Sequence, residues 1–164
     1  MANEIYKNQY HIHTVYGTYS VNHILKAFKY DNKRNIRFEY YDYKVNRYKE
    51  LHFVDLSLKM EAILKSQKCK NCGIKGNVFM LEAGNTTKIP HFNLYYKSEY
   101  EEIMLTPDHI IPKYKGGLNI KENIQVLCEK CNSAKGSTVE RKYFTRKFIN
   151  KITKIQPNIL SYIC

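Results

Sequence analysis

Apolar and polar residues follow regular patterns in the first 64 residues of the chain. Residues 10–16 alternate as a half-buried strand does, and Gly17 interrupts the alternation. Ser20 is a suitable N-cap for a helix that ends near Phe28, because the apolar residues between them recur three or four positions apart. The remaining patterned segments favour two strands and then a short helix: 36–45, 51–56 and 56–64.

Short apolar runs separated by turn residues dominate the middle of the chain. Three of these runs favour strands: 78–82, 91–96 and 103–105. A basic, glycine-containing stretch at 113–117 favours a loop, and 124–127 favours one more short strand. The pattern therefore predicts a small antiparallel meander, followed by strand, loop, strand and helix.

The last predicted helix has a start signal and two distinct faces. Ser137 and Glu140 have the spacing of a capping box, so we expect the helix to begin there. Its apolar stripe consists of Val139, Tyr143, Phe144, Phe148 and Ile152. Its other positions are crowded with basic residues: Arg141, Lys142, Arg146, Lys147, Lys151 and Lys154. Pro157 prevents much continuation beyond this point.

Composition indicates which classes of binding partner suit this protein. The chain has 164 residues, of which 43% are hydrophobic, enough for a modest globular core. Lys and Arg number 27 against 15 Asp and Glu, so the formal net charge is +12. This excess favours a polyanionic partner, and the alternative is a basic surface that contacts only solvent. Because neither a secretory signal nor a run of ~18 apolar residues is visible, we expect a soluble, cytoplasmic protein with no membrane partner.

Four of the five cysteines form two CxxC pairs, Cys69 with Cys72 and Cys128 with Cys131. Two such pairs supply the four sulfurs of a closed tetrahedral zinc site. Two disulfides are the alternative, but the odd cysteine count and the absence of a signal peptide disfavour it. Since four sulfur ligands leave no open position for water, we expect this zinc to be structural.

Between the two pairs lies a chain of motifs that carries a family resemblance. Residues 106–117 read TPDHIIPKYKGG, Asn123 precedes an apolar strand, and residues 127–136 read LCEKCNSAKG. In this order the motifs strongly resemble those of HNH nucleases, and most closely the HNH proteins carried by bacteriophages. The resemblance covers residues 69 to about 140 and says nothing of residues 1–65.

The residue types in these motifs suit phosphodiester hydrolysis. That reaction needs a base to deprotonate water and a divalent cation to neutralise charge on the phosphate and the leaving oxygen. His109 is the predicted base, because imidazole accepts a proton near neutral pH. Asp108 offers a hard oxygen ligand for Mg²⁺ or Mn²⁺. Adjacent side chains on a strand point to opposite faces, so these two serve one site only if the strand ends or bends there.

The resemblance assigns roles to further residues. It implies that Asp108 and Asn132 hold one catalytic metal, with His109 as general base, and that Asn123 braces the histidine loop through hydrogen bonds. It also suggests that Lys135 contacts a phosphate. Many members have histidine where this chain has Asn132, which leaves the metal preference open.

The sequence as a whole predicts an α+β fold, in which a zinc-stapled ββα-metal finger follows the meander. We expect an N-terminal α/β extension at 1–65 with a DNA-binding or substrate-selecting role, an HNH nuclease domain at 66–156, and a tail at 157–164.

The leading functional hypothesis is a metal-dependent endonuclease that acts on duplex DNA as a monomer or homodimer, of the homing, nicking or restriction type. The alternatives are a zinc-stabilised nucleic-acid-binding module that does not cut, and a nuclease acting on RNA or on structured DNA. The candidate DNA contacts are basic residues in the loop and the C-terminal region: Lys113, Lys115, Lys135, Arg141, Lys142, Arg146 and Lys147.

Overall fold

The protein combines helices with antiparallel strands, as expected of an α+β fold. A computed structural model describes residues 5–8, 11–29, 34–84, 89–139 and 144–162. Its strands are β1 Ile5–Asn8, β2 His11–Ser20, β3 Arg34–Asp42, β4 Arg47–Asp55, β5 Val78–Gly84, β6 His91–Lys97, β7 Glu102–His109 and β8 Ile124–Cys128. Its α-helices are α1 Val21–Lys29, α2 Leu58–Lys65, α3 Glu129–Lys135 and α4 Arg146–Ile155, and short 3-10 helices occupy Lys113–Lys115, Lys121–Asn123 and Pro157–Tyr162. Among the described helices, none is long and apolar enough to cross a membrane.

The chain divides into two compact units, each built from two stretches of sequence. The first unit takes Met1–Leu56 and Lys75–Met104, and the second takes Ser57–Ile74 and Leu105–Cys164. The boundary expected near residue 66 therefore falls inside the second unit, and strands β5 and β6 complete the N-terminal part. What the segment 1–65 does remains a prediction.

Antiparallel strands and a core rich in aromatic rings build the first unit. Strands β1, β2, β5 and β6 are hydrogen-bonded in that order, and β3 and β4 form a separate two-stranded sheet. The Ser20 hydroxyl accepts a hydrogen bond from the His23 backbone N–H, so Ser20 caps α1 as expected. Aromatic rings gather around Phe92, and those of Phe28, Phe38 and Phe79 are buried. The rings of Tyr19 and Phe53, also in contact with Phe92, are half-buried.

The second unit contains the strand, loop, strand, helix order that the sequence predicted. Strand β7 begins in the first unit and ends in the second, where its residues from Leu105 onward pair with β8. Ser57 caps α2. After the loop at 110–123 and strand β8, the Cys128 sulfur accepts the Cys131 backbone N–H and starts α3.

The predicted capping box does not start the last helix. Residues 137–139 are not helical, and α4 begins at Arg146 with the Thr145 hydroxyl accepting the Phe148 backbone N–H. The left-handed φ of Gly136 ends α3 before that point. Glu140 and Tyr143 lie outside the described residues.

The apolar stripe of the C-terminal region is nevertheless real. Val139, Phe144 and Phe148 pack against a cluster of buried isoleucines, which are Ile111, Ile152 and Ile159. Helix α4 ends before Pro157, as expected. Because Ile159 is fully buried, the expected tail is part of the packed second unit.

Candidate functional site

Four cysteine sulfurs gather in the second unit. The Sγ atoms of Cys69, Cys72, Cys128 and Cys131 all lie within 4.8 Å of one another. The Cys72 and Cys128 sulfurs are 3.7 Å apart, close to the edge of about 3.8 Å in a tetrahedron whose Zn–S bonds are about 2.3 Å. All four cysteines are free of disulfides. The donor set and its spacing therefore fit a closed zinc site.

Backbone hydrogen bonds hold the first cysteine turn in place. The Cys69 N–H donates to the Ile74 carbonyl at 2.8 Å, and the Lys70 N–H donates to the Val126 carbonyl of β8 at 2.8 Å. Gly73 adopts a left-handed φ of 83°, which an L side chain rarely tolerates. The turn is thus joined to the strand that leads into the second cysteine pair.

The local environment shifts the pKa values of the Cys69 and Cys128 thiols in opposite directions. Burial raises the pKa of the Cys128 thiol to about 12. Burial also acts on Cys69, but backbone N–H groups around its sulfur outweigh it and lower its pKa to about 6. Several thiolates this close together repel one another unless a cation lies between them. The cluster is therefore suited to a bound metal more than to free thiolates.

One face of α3 matches one face of β7. Thr106 and Asp108 are two residues apart on the strand, and Asn132 and Lys135 are three apart on the helix, so each pair shares a face. The Asn132 side-chain amide donates to the Thr106 hydroxyl at 3.2 Å. The Lys135 ammonium lies 2.9 Å from Asp108 Oδ2. These two contacts bring Asp108 and Asn132 to the same side of the β7–β8 hairpin.

Lys135 lies in the interior, which does not fit the predicted phosphate contact. Only 3% of its surface is exposed, and its ammonium pairs with the Asp108 carboxylate. A buried ammonium needs such a partner because desolvation otherwise makes its charge costly. Gln125, directly opposite Asp108 across the two strands, donates to the same Oδ2 at 3.4 Å. Asp108 Oδ1 is left without a hydrogen-bond partner among the described residues.

His109 is the last residue of β7, which meets the condition that the strand end at the Asp108–His109 pair. Its Nε2 lies 3.2 Å from the side-chain oxygen of Asn119 in the following loop. If this oxygen accepts, Nε2 carries the proton of a neutral imidazole and Nδ1 is the basic nitrogen. Asn119 thus orients the histidine, although the motif did not single it out.

Asn123 spans the loop that follows His109. Its buried side chain accepts the Ile111 N–H at 2.9 Å and donates to the carbonyls of Ile111 and Leu118, each at 2.9 Å. Its backbone carbonyl also accepts the Ile110 N–H at 2.9 Å. These are the contacts expected of a residue that braces the histidine loop.

The loop requires glycine at two positions, Gly116 and Gly117, for different physical reasons. Gly116 has a left-handed φ of 77° at the end of the short helix Lys113–Lys115. A Cβ on Gly117 would lie 1.9 Å from the Ile111 carbonyl oxygen and 2.9 Å from Asn123 Nδ2. Only glycine therefore allows the loop to pass this close to the Asn123 brace.

The predicted DNA-contacting residues fall into three groups. Lys113, Arg146 and Lys147 are exposed, and Lys115 is half-buried. Lys135 is buried, as described above. Arg141 and Lys142 lie outside the described residues. On α4 the neighbouring Lys151 pairs with Glu122 at 2.8 Å, and this contact lowers the pKa of the Glu122 carboxyl.

Sequence reasoning missed three residues of the site: Thr106, Asn119 and Gln125. Thr106 had a usable signal, because it lies two positions before Asp108 and shares its face of the strand. Gln125 required the β7–β8 register, which periodicity alone does not determine. Asn119 had no signal, since its contact with His109 depends on the path of the loop.

Comparison with protein families supports the resemblance. Residues 96–149 match the model of a family described as HNH endonuclease. The match includes Asp108, His109, Asn123 and Asn132, whereas Cys69 and Cys72 precede it. Searches of curated proteins and of solved structures found no match to the chain.

Proposed function

We propose that this chain is a metal-dependent endonuclease that hydrolyses phosphodiester bonds of DNA with water activated by His109. The observation that carries the proposal is that the α3 face bearing Asn132 contacts the β7 face bearing Asp108, through the Lys135–Asp108 and Asn132–Thr106 contacts. His109 ends the same strand. The family match over 96–149 supports nuclease chemistry in general.

A structural zinc ion is the first metal in this proposal. Cys69, Cys72, Cys128 and Cys131 would hold it, because their sulfurs have the softness and spacing that zinc prefers. Of the second pair, Cys128 is the N-cap of α3 and Cys131 lies in its first turn. The same helix carries Asn132 and Lys135. Zinc would thereby determine where the catalytic helix starts.

A second, catalytic cation would use oxygen donors from β7 and α3. Asp108 Oδ1 and the Asn132 amide oxygen are the available donors, because Asp108 Oδ2 is held by Lys135 and Gln125, and the Asn132 amide nitrogen is held by Thr106. Two hard oxygen donors suit Mg²⁺ or Mn²⁺, which retain several water ligands in protein sites. When bound, such an ion would neutralise charge on the scissile phosphate and the leaving oxygen.

His109 supplies the base. With Nε2 directed at Asn119, Nδ1 accepts a proton from the attacking water. Asn123 keeps the loop beyond His109 in place through its hydrogen bonds to Ile111 and Leu118. Lys135 acts through Asp108 as a positioning residue, since its buried ammonium fixes the orientation of that carboxylate.

The excess of basic residues supports a nucleic-acid substrate. Exposed Lys113, Arg146 and Lys147 are suited to phosphate contacts, and we propose duplex DNA as the primary substrate. One chain carries one such site, so cleavage of both strands would need two chains or two successive nicks. The phage-type resemblance and the cytoplasmic location remain predictions from the sequence.

One observation favours the rival function, a zinc-stabilised binding module that does not cut. Asp108 already has a cationic partner in Lys135, so its charge is compensated without a divalent ion. A cleavage assay separates the two functions directly.

The test is cleavage of supercoiled plasmid, linear duplex, single-stranded DNA, branched DNA and RNA with Mg²⁺ or Mn²⁺. His109→Ala should slow cleavage by about 10² to 10⁴-fold, the usual contribution of a general base, while zinc content and DNA affinity stay unchanged. Asp108→Ala and Asn132→Ala should also abolish cleavage, but raised Mn²⁺ should partly rescue them and should not rescue His109→Ala.

His52→Ala is the matched control, because His52 is an exposed histidine on β4 of the first unit. It should cut at the wild-type rate. Cleavage by His109→Ala as fast as wild type would reject the proposed active site and favour the binding module. The substrate panel decides between duplex DNA and the RNA or structured-DNA alternatives.

A further inference from the structure

The tip of the β3–β4 hairpin carries three tyrosines that no core requires. Strand alternation divides this hairpin into two faces, and the inward face bears the buried residues Ile36, Phe38 and Tyr40. On the other face Tyr41 lies directly opposite Tyr48. Tyr48 is 72% exposed and Tyr43, in the turn, is 43% exposed. Aromatic rings at such positions have no folding role as core residues.

The rings nevertheless form an ordered cluster. The Tyr41 ring centroid lies 4.8 Å from that of Tyr43 and 5.0 Å from that of Tyr48, both in edge-to-face geometry. The Tyr41 hydroxyl donates to the Asn46 side-chain oxygen at 2.5 Å. Asn46 has a left-handed φ of 51°, which asparagine tolerates better than most residues. The turn therefore holds the rings in place before any partner binds.

The charge at this tip is positive. Lys44 in the turn and Arg47 at the start of β4 are exposed, and within the described part of the chain neither forms an ion pair. Asp42, the last residue of β3, is buried and pairs with Lys49 at 2.6 Å. Two uncompensated cations thus flank three partly exposed rings.

We infer that this tyrosine tip, formed by Tyr41, Tyr43 and Tyr48 with Lys44 and Arg47, binds an unpaired segment of a nucleic-acid strand. Aromatic rings stack on bases of any sequence, and adjacent cations neutralise the phosphates between those bases. Bases inside a duplex have both faces covered by their neighbours, so they cannot stack on these rings. The tip therefore selects single-stranded or splayed regions. The net charge of +12 favours a polyanion over a protein partner.

The inference deepens the proposed function, on which it rests, by naming the form of nucleic acid that the nuclease engages. It implies that, within the duplex DNA proposed as substrate, the chain binds a branched or locally opened region more tightly than a continuous duplex. A binding measurement without added divalent cation tests it independently of cleavage.

The experiment uses fluorescence anisotropy with a labelled mixed-sequence DNA oligonucleotide, single-stranded and as a blunt duplex. The double variant Tyr43→Ala, Tyr48→Ala should weaken single-strand binding by roughly 5- to 150-fold for each stacked base that is lost, and duplex binding by much less. Tyr43→Phe, Tyr48→Phe keeps the rings and should bind like wild type. Tyr100→Ala is the matched control, since Tyr100 is a 93% exposed tyrosine elsewhere in the first unit.

Unchanged single-strand binding by the alanine variant would overturn the inference and leave the tip to a different partner, such as a protein surface. Equal losses on single strand and duplex, or an equal loss in the phenylalanine variant, would overturn the stacking role as well. Failure of the nuclease proposal has a different signature: no substrate would be cut, while the difference between the alanine and phenylalanine variants in binding would persist.

Discussion

In the first unit, aromatic rings share the interior with aliphatic side chains, and the Phe92 centroid lies between 4.9 and 6.4 Å from five other aromatic centroids. In the second unit, the residues described as buried and apolar are aliphatic side chains, one methionine and cysteines. Because aromatic side chains bury large apolar areas, they add strongly to the packing energy of the first unit. The second unit instead combines a cysteine cluster with the buried polar residues Asn123 and Lys135. The comparison predicts that the first unit is stabilised mainly by packing, and the second by a metal ion bound to the cysteines and by hydrogen bonds around its site.

Metal removal should produce the largest difference in stability between the two units. Cys72→Ala, or a strong chelator, should unfold the second unit, because structural zinc binding contributes about 10–16 kcal/mol in zinc-finger peptides and is coupled to folding. Amide hydrogen exchange should show lost protection in β8 and α3, with protection retained in β2 and β5. Elemental analysis should find one zinc per wild-type chain.

Cys164→Ser is the control for this change, because Cys164 belongs to neither CxxC pair and lies outside the described residues. It should retain zinc and stability. A folded, zinc-free wild-type protein, or a disulfide mapped within the four cysteines, would refute the structural zinc.

Truncation of the Phe92 ring should destabilise the first unit and leave the zinc site of the second unit intact. Phe92→Ala should lower the free energy of unfolding by about 3–5 kcal/mol, since it removes the ring around which the others pack. Thermal denaturation measures the loss, and zinc content should stay unchanged. Tyr100→Ala, at an exposed position, should stay within about 0.5 kcal/mol of wild type. Zinc loss on Phe92→Ala would show that the two units are not stabilised separately.

Removal of the loop brace should affect stability and rate together. Asn123→Ala leaves the Ile111 N–H and the Leu118 carbonyl without their partner, and an unpaired buried polar group costs about 1–3 kcal/mol. Urea denaturation should report this loss, and cleavage should slow by less than in His109→Ala. Asn150→Ala, on the exposed face of α4, should change neither quantity. Full activity with full stability would show that Asn123 is dispensable for the loop.

The smallest effect on stability is expected on the basic face of α4. Replacing Arg146 and Lys147 by Ala should leave unfolding within about 0.5 kcal/mol of wild type, because both are exposed. Binding to all DNA sequences should weaken alike, and the salt slope should flatten by about 0.9 for each lost phosphate contact. Lys59→Ala with Lys65→Ala removes the same charge from α2 and should leave the slope nearly intact. An equal slope change in both double variants would assign the effect to net charge alone.

Sequence alone predicted much of the candidate site, because its residues are close to one another along the chain or belong to ordered motifs. The two CxxC pairs anticipated the sulfur cluster, and the DHIxP, GG and Asn motifs anticipated the loop between β7 and β8. The prediction failed for Lys135, which was expected at a phosphate and is buried against Asp108. It also failed for the last helix, since the Ser137 signal competes with the left-handed Gly136 and with the Thr145 cap.

The sequence by itself determined the α+β class, most of the elements, the cysteine donors and the order of the HNH-like motifs, because periodicity, capping and ligand chemistry act between near neighbours. Tertiary structure decided that β5 joins β2 across more than fifty intervening residues, that Lys135 faces Asp108, and that Asn119 reaches His109. It also decided that the tyrosines of the β3–β4 tip face outward. These outcomes depend on strand register and on helix placement, which arise from contacts between distant residues and leave no local signature in the chain.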